Sequence, residues 1–518
     1  MGALILVTGV LVTGVSVTGV LATGVLATGG ETPQAMVTGL LTLLDLLAVE
    51  LLLFAGIFFL IGAVDDLIID AIWAWQRFVR KPDADDIMPT VAAQPHEDWL
   101  RSPDMPPSYA IFIPAWEEAD VIADMVGHCL HRWPGRQYRL YVGIYPNDPA
   151  TGFAALRGAR GDNRLRLVPL TVGGPTSKAD CLNHIWRAMQ SDEREQHFTF
   201  RSVVLHDAED LVHPGELDVY DRFLPRYDFV QLPVSPLIDP RSRLVGGHYA
   251  DEFAEAHGKT MPVRSRLGVA MPCAGVGCAF RREALQSFAA ASPTNTPFAA
   301  DSLTEDYELG LRIHAAGGKG IFVRAYDDAG QLVATQAYFP GELSASVRQK
   351  TRWMIGISLA GWDRTGWGKG AADIWMRARD RRSALAALVL VAAYLGLLLW
   401  VIVSFGSQAG YYQLPPFDPG FRLLMITNGA ILVWRIGTRG VCTAHHYGWR
   451  QAIWSVPRMF VGNVIAVMAA RRALMAYATS LRGHALAWDK TRHHIPAAPA
   501  TRPKPMLRAI GDASEPHG

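Results

Sequence analysis

Charge is scarce in this 518-residue chain: only 19% of residues are Asp, Glu, Lys or Arg, and 49 basic side chains against 48 acidic ones leave a formal net charge of +1. Phosphate contacts along a nucleic acid demand a clear basic excess, so a general nucleic-acid binder is excluded. Cysteine is scarce too. The five thiols, Cys129, Cys181, Cys273, Cys278 and Cys442, form no CxxC pair, which excludes a disulfide framework and a structural zinc site and suits a cytosolic chain. The first residues lack the basic start of a secretory signal. Apolar residues, by contrast, make up 50% of the chain. A mean hydropathy of +0.13 is high for a soluble enzyme and low for a pure transporter, so a polar domain joined to membrane segments is expected. The length suits two to four units at roughly 100–200 residues per domain.

Residues 6–30 repeat the unit Leu-Val-Thr-Gly-Val with small variations. A period of five paints neither a helical nor a strand face, so residues 1–37 read as a low-complexity tail or an over-extended start, with Met36 as an alternative beginning. Residues 38–64 are almost continuously apolar and long enough to cross a bilayer, although Asp45 and Glu50 must lie near one end or face other helices. Over 65–81, Trp73, Trp75 and Phe78 beside Arg77, Arg80 and Lys81 predict an interfacial helix. Residues 82–108 read as a linker. From 109 to 345 short apolar runs alternate with helical stretches, the texture of an α/β domain, and interfacial helices follow over 346–382. Two further spans are expected, 383–405 without a single charge and 421–437 between Arg422 and Arg435. The stretch 452–478 holds Pro457 and Arg458 and meets Arg471 and Arg472, which predicts a re-entrant or interfacial helix; 496–518 reads as a disordered tail. The basic residues flanking the first two spans place the α/β domain and the C-terminal part in the cytoplasm, in a multi-pass protein of a bacterial inner membrane.

Several stretches bring chemistry to the ends of apolar strands. Ala110–Ile113 runs into Pro114-Ala115-Trp116-Glu117-Glu118, and a second strand ends in Tyr145-Pro146-Asn147-Asp148. Carboxylates past the carboxyl edge of a parallel sheet stand where ligands bind. Ser177-Lys178-Ala179-Asp180 begins a helix whose amides, with the ammonium, suit a phosphate. Val203–Leu205 delivers His206-Asp207-Ala208-Glu209-Asp210, three acids in four residues that repel one another unless a cation neutralises them. Hard oxygens at that spacing suit Mg²⁺ or Mn²⁺, which in turn grips a diphosphate. Thr304-Glu305-Asp306 opens another helix, with Thr304 as an expected N-cap, and Arg348-Gln349-Lys350-Thr351-Arg352-Trp353 completes the set.

Taken in order, with the glycine-rich stretch Ala274–Arg282, these pieces resemble the family 2 inverting glycosyltransferases, and within them the membrane-embedded processive branch with its Gln-x-x-Arg-Trp motif. Tyr145–Thr151 and Trp488–His493 further resemble the phage-adsorption protein B subgroup. The resemblance implies a GT-A domain, an α/β fold with a Rossmann-like nucleotide-binding sheet, joined to an α-helical transmembrane region. It implies that Pro114, Glu118 and Asp148 hold the uridine of a UDP-sugar donor, with Lys178 near the phosphates. Asp207 and Glu209 would be the ligands of Mg²⁺ or Mn²⁺, although Asp210 competes with Glu209 for the second place. Asp306 would be the general base with Glu305 beside it, while Gln349, Arg352 and Trp353 line the acceptor and diphosphate side. Asn147 stands where the family usually has an Asp. The implied partners are the donor, a growing glycan acceptor, membrane lipids and an outer-membrane export partner, with no nucleic acid. Two other readings compete: single addition to a lipid acceptor, and a phage-receptor or secretion platform with a vestigial site.

Overall fold

A computed structural model describes residues 33–79 and 108–483. The five-residue repeat, nearly all of the linker, the phrase Trp488–His493 and the tail over 496–518 lie outside the described residues. The described residues divide into two compact units, one comprising 33–68 with 385–435 and the other 69–79, 108–384 and 436–483.

The second unit is built on strands β1 (Tyr109–Pro114), β2 (Tyr138–Ile144), β3 (Leu165–Pro169), β4 (Ser202–Leu205), β5 (Phe229–Gln231), β6 (Val234–Leu237), β7 (Cys278–Arg281), β8 (Gly320–Phe322), β9 (Ala325–Tyr326), β10 (Leu332–Val333) and β11 (Thr335–Tyr338). Seven of them form one sheet in the order β3-β2-β1-β4-β7-β5-β8, parallel except for β7, which runs antiparallel to β4 and β5. In its centre Ile111 of β1 lies opposite Leu140 of β2 and Val204 of β4. Helices cover both faces, and this is why β1 reads as an unbroken apolar run. Ile111 and Ile113 pack with helices Ile122–Arg132, Pro149–Ala159 and Glu216–Phe223, while Ala110 and Phe112 pack with helices Lys178–Glu195 and Glu305–Ala315.

The strand order sets the position of the site. From β1 the chain moves to β2 and β3 on one side, whereas β4 pairs on the other. The connections leaving β1 and β4 therefore diverge, and a crevice opens beyond their carboxyl ends. Both acidic motifs, Glu117-Glu118 and Asp207–Asp210, lie just past those ends.

In the first unit helices pack through small residues. Ala55 meets Val389, Ala392 and Ala393, and the Cα of Gly396 faces Leu51 and Leu52. Asp45 is buried and accepts a hydrogen bond at 2.9 Å from the hydroxyl of Tyr412, in the non-helical segment after Ser383–Gln408. Among the described residues three helices are long and apolar enough to cross a membrane: Pro33–Phe78, Ser383–Gln408 and Trp449–Ser480. Two boundaries differ from those expected. The span expected over 38–64 and the described part of the interfacial helix expected over 65–81 lie in one unbroken helix, Pro33–Phe78, of 46 residues, because nothing between Val64 and Asp65 stops it. The third apolar helix is Trp449–Ser480, continuous over 32 residues through Pro457, rather than the stretch 421–437, which lies in the more polar helix Pro419–Tyr447.

Trp449–Ser480 belongs partly to the sheet's own unit by its packing. Ile465 and Ala469 lie against Val347 of helix Leu343–Trp353, while Ile453, Phe460 and Val464 leave an exposed apolar stripe. Arg458 and Asp251, each about 1% exposed, pair at 3.2 Å, and the Arg458 guanidinium also donates to the Arg243 carbonyl at 2.6 Å. Burial pushes the Asp251 carboxyl up to about 6 even beside that cation. Arg458→Met should therefore destabilise this unit by roughly 3–5 kcal/mol, as breaking a buried pair does. The melting temperature of the detergent-purified protein measures the loss, and Asp251→Asn in the same background should recover part of it.

Candidate active site

A cavity of about 160 Å³ opens at the crevice. Pro114 and Glu118 from the β1 end, Lys178 from its helix, Asp207 and Glu209 from the β4 end, Glu305 and Asp306, and Gln349, Arg352 and Trp353 all line it. Positions spread over 240 residues of sequence thus meet in one place. Trp353 ends the helix Leu343–Trp353 and sets its ring edge-on to Tyr249 at 6.2 Å. Gln349 is buried, and its Oε1 makes no hydrogen bond.

The electrostatic centre is Lys178. Its ammonium lies 2.6 Å from Asp207 Oδ1 and 3.5 Å from the Gly275 carbonyl oxygen. Burial pulls the ammonium toward the neutral form, but the carboxylates of Asp207, Glu305 and Asp306 outweigh that and hold it above the ordinary lysine value. Burial pushes Asp306 up from the usual aspartate value, against Lys178 and the Tyr307 N–H, which donates to its Oδ1 at 2.7 Å. Glu305 is 5% exposed and its Oε1 makes no hydrogen bond. Burial and then repulsion from Asp306 raise its carboxyl to about 7.

The acidic turn after β4 divides its labour. Asp210 is turned inward: its Oδ2 lies 3.0 Å from His206 Nδ1 and accepts the Asp207 N–H at 3.0 Å. His206 Nε2 is 2.9 Å from Glu216 Oε1 in turn, so the fully buried imidazole lies between two carboxylates. Burial alone would lower its pKa, but Glu216 and Asp210 raise it to about 10. Asp210 thus holds the turn through His206 and the Asp207 N–H, and it lines the cavity together with Asp207 and Glu209. Among the described residues no group of three His, Cys, Asp or Glu side chains is placed to hold a metal ion.

Asp148 does not line the cavity. Its Oδ2 accepts the Glu117 N–H and the Thr151 hydroxyl, both at 2.6 Å, and its Oδ1 accepts the Thr151 N–H at 3.4 Å as the cap of helix Pro149–Ala159. The carboxylate clamps the β1 tip, where Glu117 adopts a left-handed φ of 52° that a side chain tolerates only when held. Asn147 has a reason of its own. Its amide accepts the Gly174 N–H at 2.7 Å and donates to the Gly174 carbonyl at 2.8 Å, a pairing that a carboxylate cannot make. Thr304 stands at the N-cap position but makes no capping bond; its buried hydroxyl packs against the Cα of Gly356. Aromatic lining residues went unremarked as site residues in the sequence: Trp116, edge-on to Tyr145 at 4.9 Å, and Phe253 with Phe339 at 5.0 Å. Trp116 lies inside the Pro-Ala-Trp-Glu-Glu motif and could have been found there, whereas nothing local marks Phe253.

Glu305 gives a test of this electrostatic arrangement. Its carboxyl titrates near 7 in the folded protein against the usual 4.5, so the native state holds the extra proton between those values and stability falls as pH rises through them. Glu305→Gln removes that dependence. The variant should melt higher than the wild type at pH 8, the difference closing toward about pH 4.5; an equal offset at every pH would show that Glu305 is not held in its neutral form.

Comparison with known proteins fits this geometry. Residues 106–356 match the family described as "Glycosyltransferase like family 2". The "Bacteriophage adsorption protein B" of Escherichia coli K12 and the "Bacteriophage N4 adsorption protein B" of E. coli O157:H7 are each 33% identical to the chain over 472 residues. That alignment covers 87% of the chain but 62% of each relative, so the chain spans less than two thirds of their length. Among solved structures, a mannosyltransferase from Pyrobaculum calidifontis in complex with GDP-Man and Mn²⁺ aligns at 17% identity and a TM-score of 0.48, over 83% of this chain and 99% of that one. Glucosyl-3-phosphoglycerate synthase from Mycobacterium tuberculosis, with Mg²⁺ and UDP, aligns at 17% identity and a TM-score of 0.32 over 51% and 81%. Residues 106–356 thus carry the match to the glycosyltransferase family 2 model on a mostly parallel α/β sheet with a cavity at its switch point, in a chain that also has apolar helices long enough to cross a membrane.

Proposed function

We propose that the chain is a membrane-bound, processive glycosyltransferase that moves a sugar from a UDP-sugar to a growing extracellular or secreted polysaccharide, with inversion at the anomeric carbon. The observation that supports this most is the convergence of Lys178, Asp207, Asp306 and the Gln349–Trp353 segment on one cavity at the switch point of the sheet.

In this reading the Asp306 carboxylate accepts the proton of the acceptor hydroxyl as that oxygen attacks the anomeric carbon. Burial, which raises its proton affinity, suits that task. One displacement breaks the bond to the diphosphate and inverts the centre, and no nucleophilic carboxylate is required. Lys178 and Arg352 meet the charge that grows on the leaving diphosphate. Trp353 offers an indole face to a sugar ring of the acceptor, with the Gln349 carboxamide beside it as a hydrogen-bond partner. Asp207 and Glu209 would hold Mg²⁺ or Mn²⁺, which supplies charge neutralisation at the diphosphate. Two chain carboxylates fit such a cation because it commonly takes its remaining ligands from phosphates and water. The Lys178 ammonium now paired with Asp207 moves to the phosphates when the donor binds.

We further place the domain on the cytoplasmic face of a bacterial inner membrane, where nucleotide sugars are made, with the product handed to an outer-membrane export partner. The commitment of one face of Trp449–Ser480 to the sheet's unit supports an interfacial position for that helix, and a cytoplasmic C-terminal part then has Pro419–Tyr447 as the return span after Ser383–Gln408. A reporter fused after residue 483 that is active only in the periplasm would overturn that placement. A polysaccharide displayed at the cell surface also gives a physical link to phage adsorption, for which the E. coli relatives are named.

Asp306→Asn keeps the shape of the site and removes the proton acceptor, so turnover should fall by about 10²- to 10⁴-fold while nucleotide binding stays nearly unchanged. Retention of more than about a tenth of wild-type turnover would remove Asp306 from the role of base. Asp207→Ala and Glu209→Ala should abolish the metal-dependent part of UDP affinity, whereas a chelator response that survives in both would place the metal elsewhere.

A further inference from the structure

We propose that Gln231, which does not line the cavity, is a positioning residue for sugar transfer: its side-chain amide holds the Ala274–Gly277 loop against Asp306 and Lys178. This rests on the reading of Asp306 as the base.

Gln231 ends β5, opposite Cys278 of β7, and is 2% exposed. Its Oε1 accepts the Ala274 N–H at 2.8 Å, and its Nε2 lies 2.9 Å from the Val276 carbonyl oxygen, 3.2 Å from that of Gly277 and 2.8 Å from that of Leu232. The loop thus presents an N–H and two carbonyls to a single side chain. Only a carboxamide carries an acceptor and two donors on one terminus. Glutamate has no donor for the carbonyls, and asparagine is one methylene too short to span the same gap. A further bond pins the loop from its other side, where the Gly275 N–H approaches Cys273 Sγ at 3.3 Å.

What the loop touches gives this packing its consequence. Gly275 has a φ of +78°, and a Cβ there would fall 2.1 Å from Asp306 Oδ2 and 3.3 Å from Lys178 Nζ. Its carbonyl oxygen is the one 3.5 Å from the Lys178 ammonium. Gly277, with a φ of +57°, leaves no more room, since its Cβ would meet Thr335 Oγ1 at 2.3 Å. The loop backbone is therefore a wall against which both the carboxylate and the ammonium lie. A shift of the wall displaces Asp306, which lies nearer to it than Lys178 does, and a displacement of about 1 Å at a reacting group can cost on the order of 100-fold in rate.

Gln231→Met fills nearly the same buried volume with no hydrogen-bonding group. The full-length protein in detergent should lose turnover by roughly 10- to 100-fold. Its affinity for the nucleoside diphosphate that the wild type releases, read by calorimetry, should stay within about twofold, a split that general loosening of the fold would not produce. Gly275→Ala should reproduce the defect from the other side of the loop, and the double variant should be no worse than about threefold below the poorer single one, since both act through one element. Wild-type turnover in Gln231→Met, affinity falling in step with turnover, or fully multiplicative defects would each overturn the proposal. If Gln231→Met does not fold, Gln231→Asn, which keeps the carboxamide one methylene short of the loop, decides in its place, wild-type turnover there being the contrary result. Asp306→Asn measured in parallel keeps the two claims apart: an active Asp306→Asn sinks the base, while the loop variants still report on Gln231.

Discussion

Three carboxylates crowd around one ammonium at the carboxyl edge of the sheet, and much of the domain is arranged to make that crowding tolerable. Asp207 follows β4 whereas Glu305 and Asp306 open one helix, and each carboxylate is costly near the others. Lys178 offsets them from the first turn of its helix, at 2.6 Å from Asp207. Behind them a second layer fixes the backbone. His206 between Asp210 and Glu216 holds the turn after β4, Asp148 holds the left-handed tip of β1, and the loop from Ala274 to Gly277 closes the side nearest Asp306.

Much of this was legible in the sequence because burial on both faces leaves a strong trace. The run Tyr109–Ile113 has no polar residue to alternate with, so both the strand and the carboxylates past its end could be placed. The acidic turn and the Gln-x-x-Arg-Trp segment stood out by composition alone, and their meeting in one cavity follows from the strand order, which the motif order implied through resemblance. The roles inside a motif were less legible. An aspartate that caps a helix and one that faces a ligand look identical in sequence, so Asp148 was read as a nucleotide contact although its oxygens are taken up by Glu117 and Thr151. Nothing local ranks Glu209 against Asp210, and the pairing of Asp210 with the buried His206 is a contact of the folded turn alone.

Long-range contacts account for the remainder. Gln231 is an unremarkable polar residue in a short strand, and only the return of the chain 43 residues later to Ala274 gives its amide anything to hold. Helix ends are similarly underdetermined. A tryptophan and arginine flank marks a membrane interface but does not interrupt a helix, so Pro33–Phe78 runs through it. Pro457 lowers helix propensity, yet Trp449–Ser480 continues past it with one face packed on Val347 and Arg458 paired to Asp251. In Trp449–Ser480 tertiary burial overrides the local signal.

The most direct measurement of the account is turnover by the purified chain in lipid nanodiscs with a panel of UDP-sugars and Mg²⁺ or Mn²⁺, reading released UDP and the mass of the sugar product together. The account predicts that one donor yields metal-dependent UDP release and a product of many sugar units. No release from any donor, or a product carrying a single added sugar in the lipid fraction, would contradict it.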